Sequence, residues 1–282
     1  MIGSKCPYLI VPRLAAVPGL VHGFGDSRWS EADFLAFAAS KNLQPVIMRQ
    51  LHSDIIHRID GAPVKKLEGD ALMTNVPGLL LVIRTADCLP VLLIDEEKQA
   101  VAAVHCGWRG TEKRILEKAV KAMVEAYGSK PAGMQAALGP CIGPACYEVG
   151  PEVRDRFLHA GFPASIFAER GRLPAIQVPN LKGRYLLDLR EANGWLLREL
   201  GFKKTNIFNP GPTCTHCEPR LLSYRRNSAD PRRMHNFIGL LQATAEPGLR
   251  DVVGGSIKHR TSIFSSSPLR YLPELGLRAT PP

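Results

Sequence analysis

The sequence predicts a strand-rich α/β protein of the α+β type, on three observations. Residues 45 to 105 carry a dense succession of short apolar runs bounded by turn residues. Several of those runs are apolar at nearly every position, as strands buried on both faces are. Two later segments, following Thr111 and Asp188, instead place apolar residues at helical spacing.

Taken in order, Tyr8 to Val11 and His22 to Phe24 read as short strands. Ser30 begins an amphipathic helix with Glu31 and Asp33 in its first turn and Phe34, Leu35, Phe37 and Ala38 on its apolar side. Strands are expected at Pro45 to Leu51, Ile55 to Ile59, Ala71 to Thr74, Leu79 to Thr85, Val91 to Asp95 and Ala100 to His105. Thr111 then opens the clearest helix, with Ile115, Leu116, Ala119, Val120, Met123 and Val124 on one face and a stop near Gly128. Met134 to Leu138 is a further buried strand, and Pro151 starts another helix. Asp188 to Leu200 carries Leu189, Ala192, Trp195, Leu196 and Leu200 on one face, with Gly201 as its stop. From about Ala243 the pattern dissolves into Gly, Ser, Pro and Arg, so residues 243–282 are expected to form a loosely ordered extension outside a core spanning 1–242.

At 282 residues, with 45% hydrophobic and 22% charged side chains, the chain has the composition of a globular protein with a sizeable core. No stretch reaches the roughly 18 uninterrupted apolar residues of a membrane span. The first residues read as an opening strand rather than a signal peptide, because Pro12 and Arg13 cut their apolar run. A cytoplasmic protein follows, and the seven cysteines are then expected as thiols rather than disulfides. The net charge of +10 is concentrated between Arg220 and Arg233 and after Arg250, with no helix-turn-helix, zinc-finger or RNA-binding signature. Nucleic acid and membranes are therefore not expected partners, whereas a small anionic substrate is compatible with the charge.

Reactive side chains cluster in three segments, Arg49-Gln50-Leu51-His52-Ser53-Asp54, Arg84-Thr85-Ala86-Asp87-Cys88 and His105-Cys106-Gly107-Trp108-Arg109-Gly110-Thr111. Each puts a His or Cys near the C-terminal end of an expected strand, from which a loop can carry it to a pocket. Two imidazoles and one thiolate suit Zn²⁺, with a fourth tetrahedral position open to reactants. The rival reading is a Cys–His hydrolase in which His105 lowers the pKa of Cys88 and Asp87 or Asp54 orients the imidazole. Gly107 to Thr111 leads into a helix start that suits a phosphate, with Arg109 beside it, or else forms a plain turn capped by Thr111. Cys141 to Cys146 and Cys214-Thr215-His216-Cys217 read as zinc or redox pairs or, more simply, as unpaired thiols. Tyr224-Arg225-Arg226 reads either as a contact to an anionic or aromatic substrate or as a solvated basic turn.

Together, RQLHSD, GDALMTNVPGLLLVIRTADCLPVLLID, VAAVHCGWRGT, LGPCIGPACYEVG, LDLREANGWLLRELG and CTHCEPRLLSYRR resemble, in this order, the laccase-domain family. Its members are variously labelled polyphenol oxidase, peptidoglycan editing factor and purine nucleoside phosphorylase. The resemblance runs from about His22 to Leu241. It implies a single compact domain of mixed sheets flanked by helices, with a metal at His52, Cys88 and His105. It further implies zinc-dependent phosphorolysis of adenosine, inosine, guanosine and S-methyl-5'-thioadenosine, with adenosine deamination. Copper-dependent phenol oxidation is the alternative within the family, although eight histidines without an HxH pair are few for a multinuclear copper cluster.

For deamination, Asp70 and Asp87 are the candidate proton carriers beside Cys88. For phosphorolysis, Arg84, Arg109, Gly110 and Thr111 are the candidate phosphate or substrate anchors. The sequence departs from the family pattern at Ser53 and across Ser228 to His235. It departs also at Cys106, which is expected to put a second thiol beside the metal.

Overall fold

Residues 6–63, 65–168, 184–211 and 214–242 are described by a computed structural model of the chain. The extension expected over 243–282 lies outside them.

Along the chain come β1 (Tyr8–Leu9), α1 (Pro12–Ala15), β2 (Leu20–Gly25), α2 (Glu31–Ser40), β3 (Gln44–Ile47), β4 (Ile56–Arg58), β5 (Ala71–Thr74), β6 (Leu79–Thr85) and β7 (Leu89–Asp95). There follow β8 (Ala100–Cys106), α3 (Trp108–Glu112), α4 (Ile115–Tyr127), β9 (Gln135–Leu138), β10 (Glu148–Val149), α5 (Pro151–His159), β11 (Phe167–Ala168) and β12 (Tyr185–Leu187). Helix α6 (Leu189–Glu199), β13 (Ile207–Phe208) and β14 (Met234–Leu240) complete the order. No helix among the described residues is long and apolar enough to cross a membrane.

A five-stranded sheet runs β1-β2-β14-β6-β3 and a six-stranded sheet runs β13-β9-β7-β8-β5-β4, while β10, β12 and β11 form a small third sheet. Both large sheets are mixed, since β3 pairs β6 in parallel and β14 pairs β6 antiparallel, and β7 pairs β8 antiparallel while β4 pairs β5 in parallel. The expected fold class of mixed sheets flanked by helices is therefore what forms.

Strand alternation builds the layers. Along β7 and β8, Leu92, Ile94, Val101 and Ala103 pack against Phe24, Leu81 and Ile238 of the five-stranded sheet. Their neighbours Leu89, Val91, Leu93, Ala102 and Val104 face the helices instead, meeting Ile115, Leu116 and Val120 of α4 and Leu196 of α6. Helix α2 covers the outer face of the five-stranded sheet, with Phe34 and Ala38 against Leu80, Val82 and Phe237. A strand buried on both sides carries no polar face, which is why these runs are apolar throughout.

Local signals hold where they are strong. Ser30 caps α2 by accepting from the Asp33 amide at 3.1 Å, and Asp188 caps α6 by accepting from the Arg190 and Glu191 amides at 3.0 and 2.9 Å. Gly128 ends α4 with φ +69°. Three expectations are corrected. The opening strand stops at Leu9, and Pro12 starts the short α1. The strand expected to reach Leu51 ends at Ile47.

The single helix expected from Thr111 is two, because Arg114 adopts φ +62° between α3 and α4. Its guanidinium is held by Glu117 and donates to the Ala160 carbonyl at 2.9 Å. Tertiary bonds thus impose a left-handed residue on a pattern that locally favours one continuous helix.

Burial also sets an acid limit. His22 in β2 accepts from the Val11 amide through Nε2 at 2.9 Å, and burial lowers its pKa from 6.5 to about 4. The unfolded chain then binds a proton that the folded chain refuses between those values, so stability falls as pH drops from 6.5 towards 4. The loss is expected to approach about 3 kcal/mol. Urea melts at pH 7 and pH 4.5 check it, and His22→Gln, which keeps an acceptor without titrating, should flatten the profile. An unchanged slope in that variant would remove His22 as the cause.

Candidate active site

The strand ends bring His52, Cys88 and His105 to one place. Their donor atoms all lie within 4.8 Å of one another, with Cys88 Sγ 3.9 Å from His52 Nε2 and the two imidazole rings 4.9 Å apart. His105 is the penultimate residue of β8, Cys88 sits in the turn between β6 and β7, and His52 occupies a loop after β3.

Asp70 organises all of this from beneath. It is fully buried, and it accepts from the Leu51, His52 and Ser53 amides at 3.2, 3.1 and 2.6 Å and from the Ser53 hydroxyl at 2.6 Å. His105 Nδ1–H donates to the same carboxylate at 2.7 Å. One side chain therefore holds the His105 imidazole directly and, through backbone amides, the turn that carries His52, which is left-handed at φ +58°. Burial works against its charge, but the His105 and Ser53 hydrogen bonds prevail and keep its pKa below the usual carboxylate value.

The bond to Nδ1 assigns the proton of His105 and leaves Nε2 for a ligand or for Cys88. Burial would raise the Cys88 thiol, yet the positive His105 and hydrogen bonds from both imidazoles bring it down to about 6. Burial would lower His105, yet the Cys88 thiolate and Asp70 raise it to about 9. Without a cation the pair therefore rests as thiolate and imidazolium.

The donor set fits a metal of zinc type, two imidazoles and a thiolate on a strand, a turn and a loop, with the His105 imidazole and the His52 turn supported from behind by Asp70. Gly107 completes the cradle, because a Cβ there would lie 3.0 Å from Cys88 Sγ and 3.1 Å from His52 Cδ2. Gly107→Ala is expected to weaken metal binding by about ten- to hundred-fold, a displacement of ligands rather than their loss. Competition with a chromophoric chelator measures it, and an unchanged affinity would show that the space is not needed.

The three donors lie at the wall of a cleft of about 720 Å³. Arg84 and Arg109 line it as expected, and so do Tyr224 and Arg225 of the basic segment. Arg109 stacks over Trp108 at 4.4 Å, and Arg225 stands 5.6 Å from the ring centroid of Tyr147. Tyr147, Gln50 and Arg233 also face the cleft. Residues from the 140s and 220s converge there only in three dimensions; Tyr147 lies within the LGPCIGPACYEVG segment but nothing in that segment singles it out, and Arg233 lies in no quoted motif.

Other expected site residues stand elsewhere. Gly110 and Thr111 are buried and do not line the cleft, and Thr111 Oγ1 accepts from Asn193 Nδ2 at 3.1 Å. Thr111 is not a cap either, since Gly107 occupies that position for α3. Asp87 borders the cleft at φ +91°, but its oxygens accept from the Thr215 hydroxyl and the Arg225 amide, both at 2.6 Å. Asp70 thus anchors a turn with five acceptor bonds, while Asp87 accepts one bond on each oxygen and stays at the cleft edge. Asp54 binds Lys118 at the surface and makes no contact with His105. Cys106, expected beside the metal, alternates away from His105 into the helix-side core and stays outside the ligand group.

Known proteins share this sequence pattern and fold. The profile of the family described as multi-copper polyphenol oxidoreductase laccase matches residues 30–241. The chain is similar to purine nucleoside phosphorylase YfiH of Shigella flexneri, with 36% identity over 70% of this chain and 74% of that one. It is similar to adenosine deaminase RL5 of an unknown prokaryotic organism, with 36% identity over 65% of this chain and 70% of that one. Among solved structures, YlmD from Geobacillus stearothermophilus superposes with a TM-score of 0.72 at 26% identity, covering 85% of this chain and 98% of that one.

Proposed function

This chain belongs to the family described as multi-copper polyphenol oxidoreductase laccase, and from that premise we propose that it is a zinc-dependent purine nucleoside phosphorylase that also deaminates adenosine. Its proposed substrates are adenosine, inosine, guanosine and S-methyl-5'-thioadenosine with phosphate, and its proposed compartment is a reducing cytoplasm, where Cys88 stays a thiol. The observation that carries the reading is the convergence of His52, Cys88 and His105 on a cleft lined by guanidinium groups and aromatic rings.

His52, Cys88 and His105 would hold a zinc ion, which when bound would supply Lewis-acid polarisation at the cleft. Two imidazoles and a thiolate suit it better than a multinuclear copper cluster, since the two convergent donor groups among the described residues contain two imidazoles in all. Arg84 and Arg109 present fixed positive charge to phosphate, and neither is ion-paired among the described residues. Tyr147, Tyr224 and Trp108 offer faces against which a purine stacks. Asp70 keeps the proton of His105 on Nδ1 and so keeps Nε2 directed away from it.

Chromatography of inosine and adenosine incubated with the zinc-loaded protein, with and without phosphate, tests the reading. Purine base is expected only when phosphate is present, and inosine is expected from adenosine in either case. Base release that ignores phosphate would sink phosphorolysis.

A second reading has its own support, because Cys88, His105 and Asp70 also make the series thiolate, imidazole and carboxylate of a thiol hydrolase. Hydrolysis of a muropeptide that survives chelation and stops with iodoacetamide would favour it.

A further inference from the structure

We propose that Cys146, Cys214 and Cys217 bind a second zinc ion through three thiolates, leaving the fourth tetrahedral position to solvent beside the exposed Cys217. Their sulfurs lie within 4.8 Å of one another, and Cys146 Sγ stands 3.3 Å from Cys217 Sγ. Thiolates sharing one tetrahedral zinc stand roughly 3.8 Å apart, given metal–sulfur bonds of about 2.3 Å. The cluster is therefore close to the size of a coordination sphere, with the Cys146 and Cys217 sulfurs needing to part by about half an ångström.

Two segments 71 residues apart in sequence build it. They are laid side by side by a parallel bridge between Cys141 and Cys214, with the Thr215 amide donating to the Cys141 carbonyl at 3.1 Å. Cys214 to Cys217 forms a tight turn, in which the Cys217 and Glu218 amides donate to the Cys214 carbonyl at 3.2 and 3.0 Å. That turn returns the second sulfur to the first.

The backbone is arranged for a charged sulfur. The Gly143 amide donates to Cys214 Sγ at 3.1 Å. Amide donors favour thiolate over thiol, and thiolate is the form a metal takes. A disulfide would use two of these sulfurs and leave the third outside the bond, whereas a cation uses all three. Neither Cys106 nor Cys141 belongs to the group, since both are buried in the core on the helix side.

Such a site would brace the cleft from outside it. The Arg226 guanidinium donates to the carbonyls of Thr215 and His216 at 2.8 and 2.9 Å, and the Thr215 hydroxyl bonds Asp87 next to Cys88. Arg225 reaches the Cys146 carbonyl at 3.4 Å. The metal would pin the loop bearing Tyr147 to the loop that precedes Tyr224 and Arg225, without sharing a ligand with the first site.

Metal analysis of purified full-length chains tests the proposal. Wild type is expected to hold about two zinc ions per chain, Cys88→Ala about one, and Cys88→Ala with Cys217→Ser close to none. Since the double variant can fail to fold, the single Cys88→Ala protein is also loaded with cobalt, and strong thiolate-to-cobalt charge-transfer absorption is expected. Maleimide labelling of Cys146 and Cys217 in that protein should rise when a chelator is added. Cys88→Ala protein without bound metal, labelling indifferent to chelator, or a Cys146–Cys217 disulfide in protein purified without oxidant would each overturn the assignment. Loss of phosphorolysis would not, because this site shares no ligand with the first.

Discussion

Replacing Cys88 with alanine is expected to remove one metal ion from the chain and lower nucleoside turnover at least about 1,000-fold, while the fold persists. The removed thiolate is the anionic donor among three, and two neutral imidazoles hold zinc far more weakly than the full set. The same chemistry gives metal binding a pH signature. Between pH 6 and 9 the metal-free protein carries the Cys88 thiolate and the His105 imidazolium, so binding must expel about one proton. Affinity should therefore rise about tenfold per pH unit through that window, and more steeply below pH 6, where the thiol must also ionise.

Alkylation of the stripped wild type should likewise follow a midpoint near pH 6 rather than the ordinary thiol value of 9.0, and zinc should suppress it. Turnover by Cys88→Ala equal to wild type would refute the assignment of the metal. Alkylation that climbs only near pH 9 would refute the ion pair.

Asp70→Asn is the second large effect, and it should be felt in both stability and metal affinity. The carboxylate accepts from three amides, one hydroxyl and His105. An amide of the same shape turns one accepting oxygen into a donor and sets it against donors that have no other partner. A loss of about 3–5 kcal/mol is expected from breaking a fully buried charged cluster. Metal affinity should fall about ten- to hundred-fold, because the variant releases both the His105 tautomer and the His52 turn.

The stabilisation given by the native carboxylate is present above its ordinary pKa and lost as pH falls through its lowered folded value, so the variant's deficit should shrink in acid. Urea melts at two pH values and chelator competition check this. A melt within about 0.5 kcal/mol of wild type would mean that the cluster is not what holds the loop.

The candidate metal ligands were within reach of the sequence because each lies at or beyond the C-terminal end of a strand that its own apolar pattern announces. Their neighbours were not. Asp70 looks like an isolated acid before β5, and nothing near it in sequence shows that it receives the amides of residues 51 to 53. Thr111 and Gly110 look like a helix start, and only the packing of Asn193 against Thr111 shows that they face inward. Strand β14 is central to its sheet and fully buried, yet His235 and Asn236 interrupt its apolar run and conceal it.

What the sequence determined by itself was periodic and local. Apolar runs in β6, β7 and β8, the helical spacing in α4 and α6, and the caps at Ser30 and Asp188 all follow from the backbone geometry of nearby residues. The tertiary structure decided what depends on meetings between distant segments. It gave Asp70 to the His105 imidazole and the His52 turn at once, placed Tyr147 beside Arg225, split a helix at Arg114 and joined Cys146 to the Cys214 turn. The reason is physical: hydrogen bonds and ligand spheres are set by distance in space, and a chain's local pattern carries no record of which remote groups will share one.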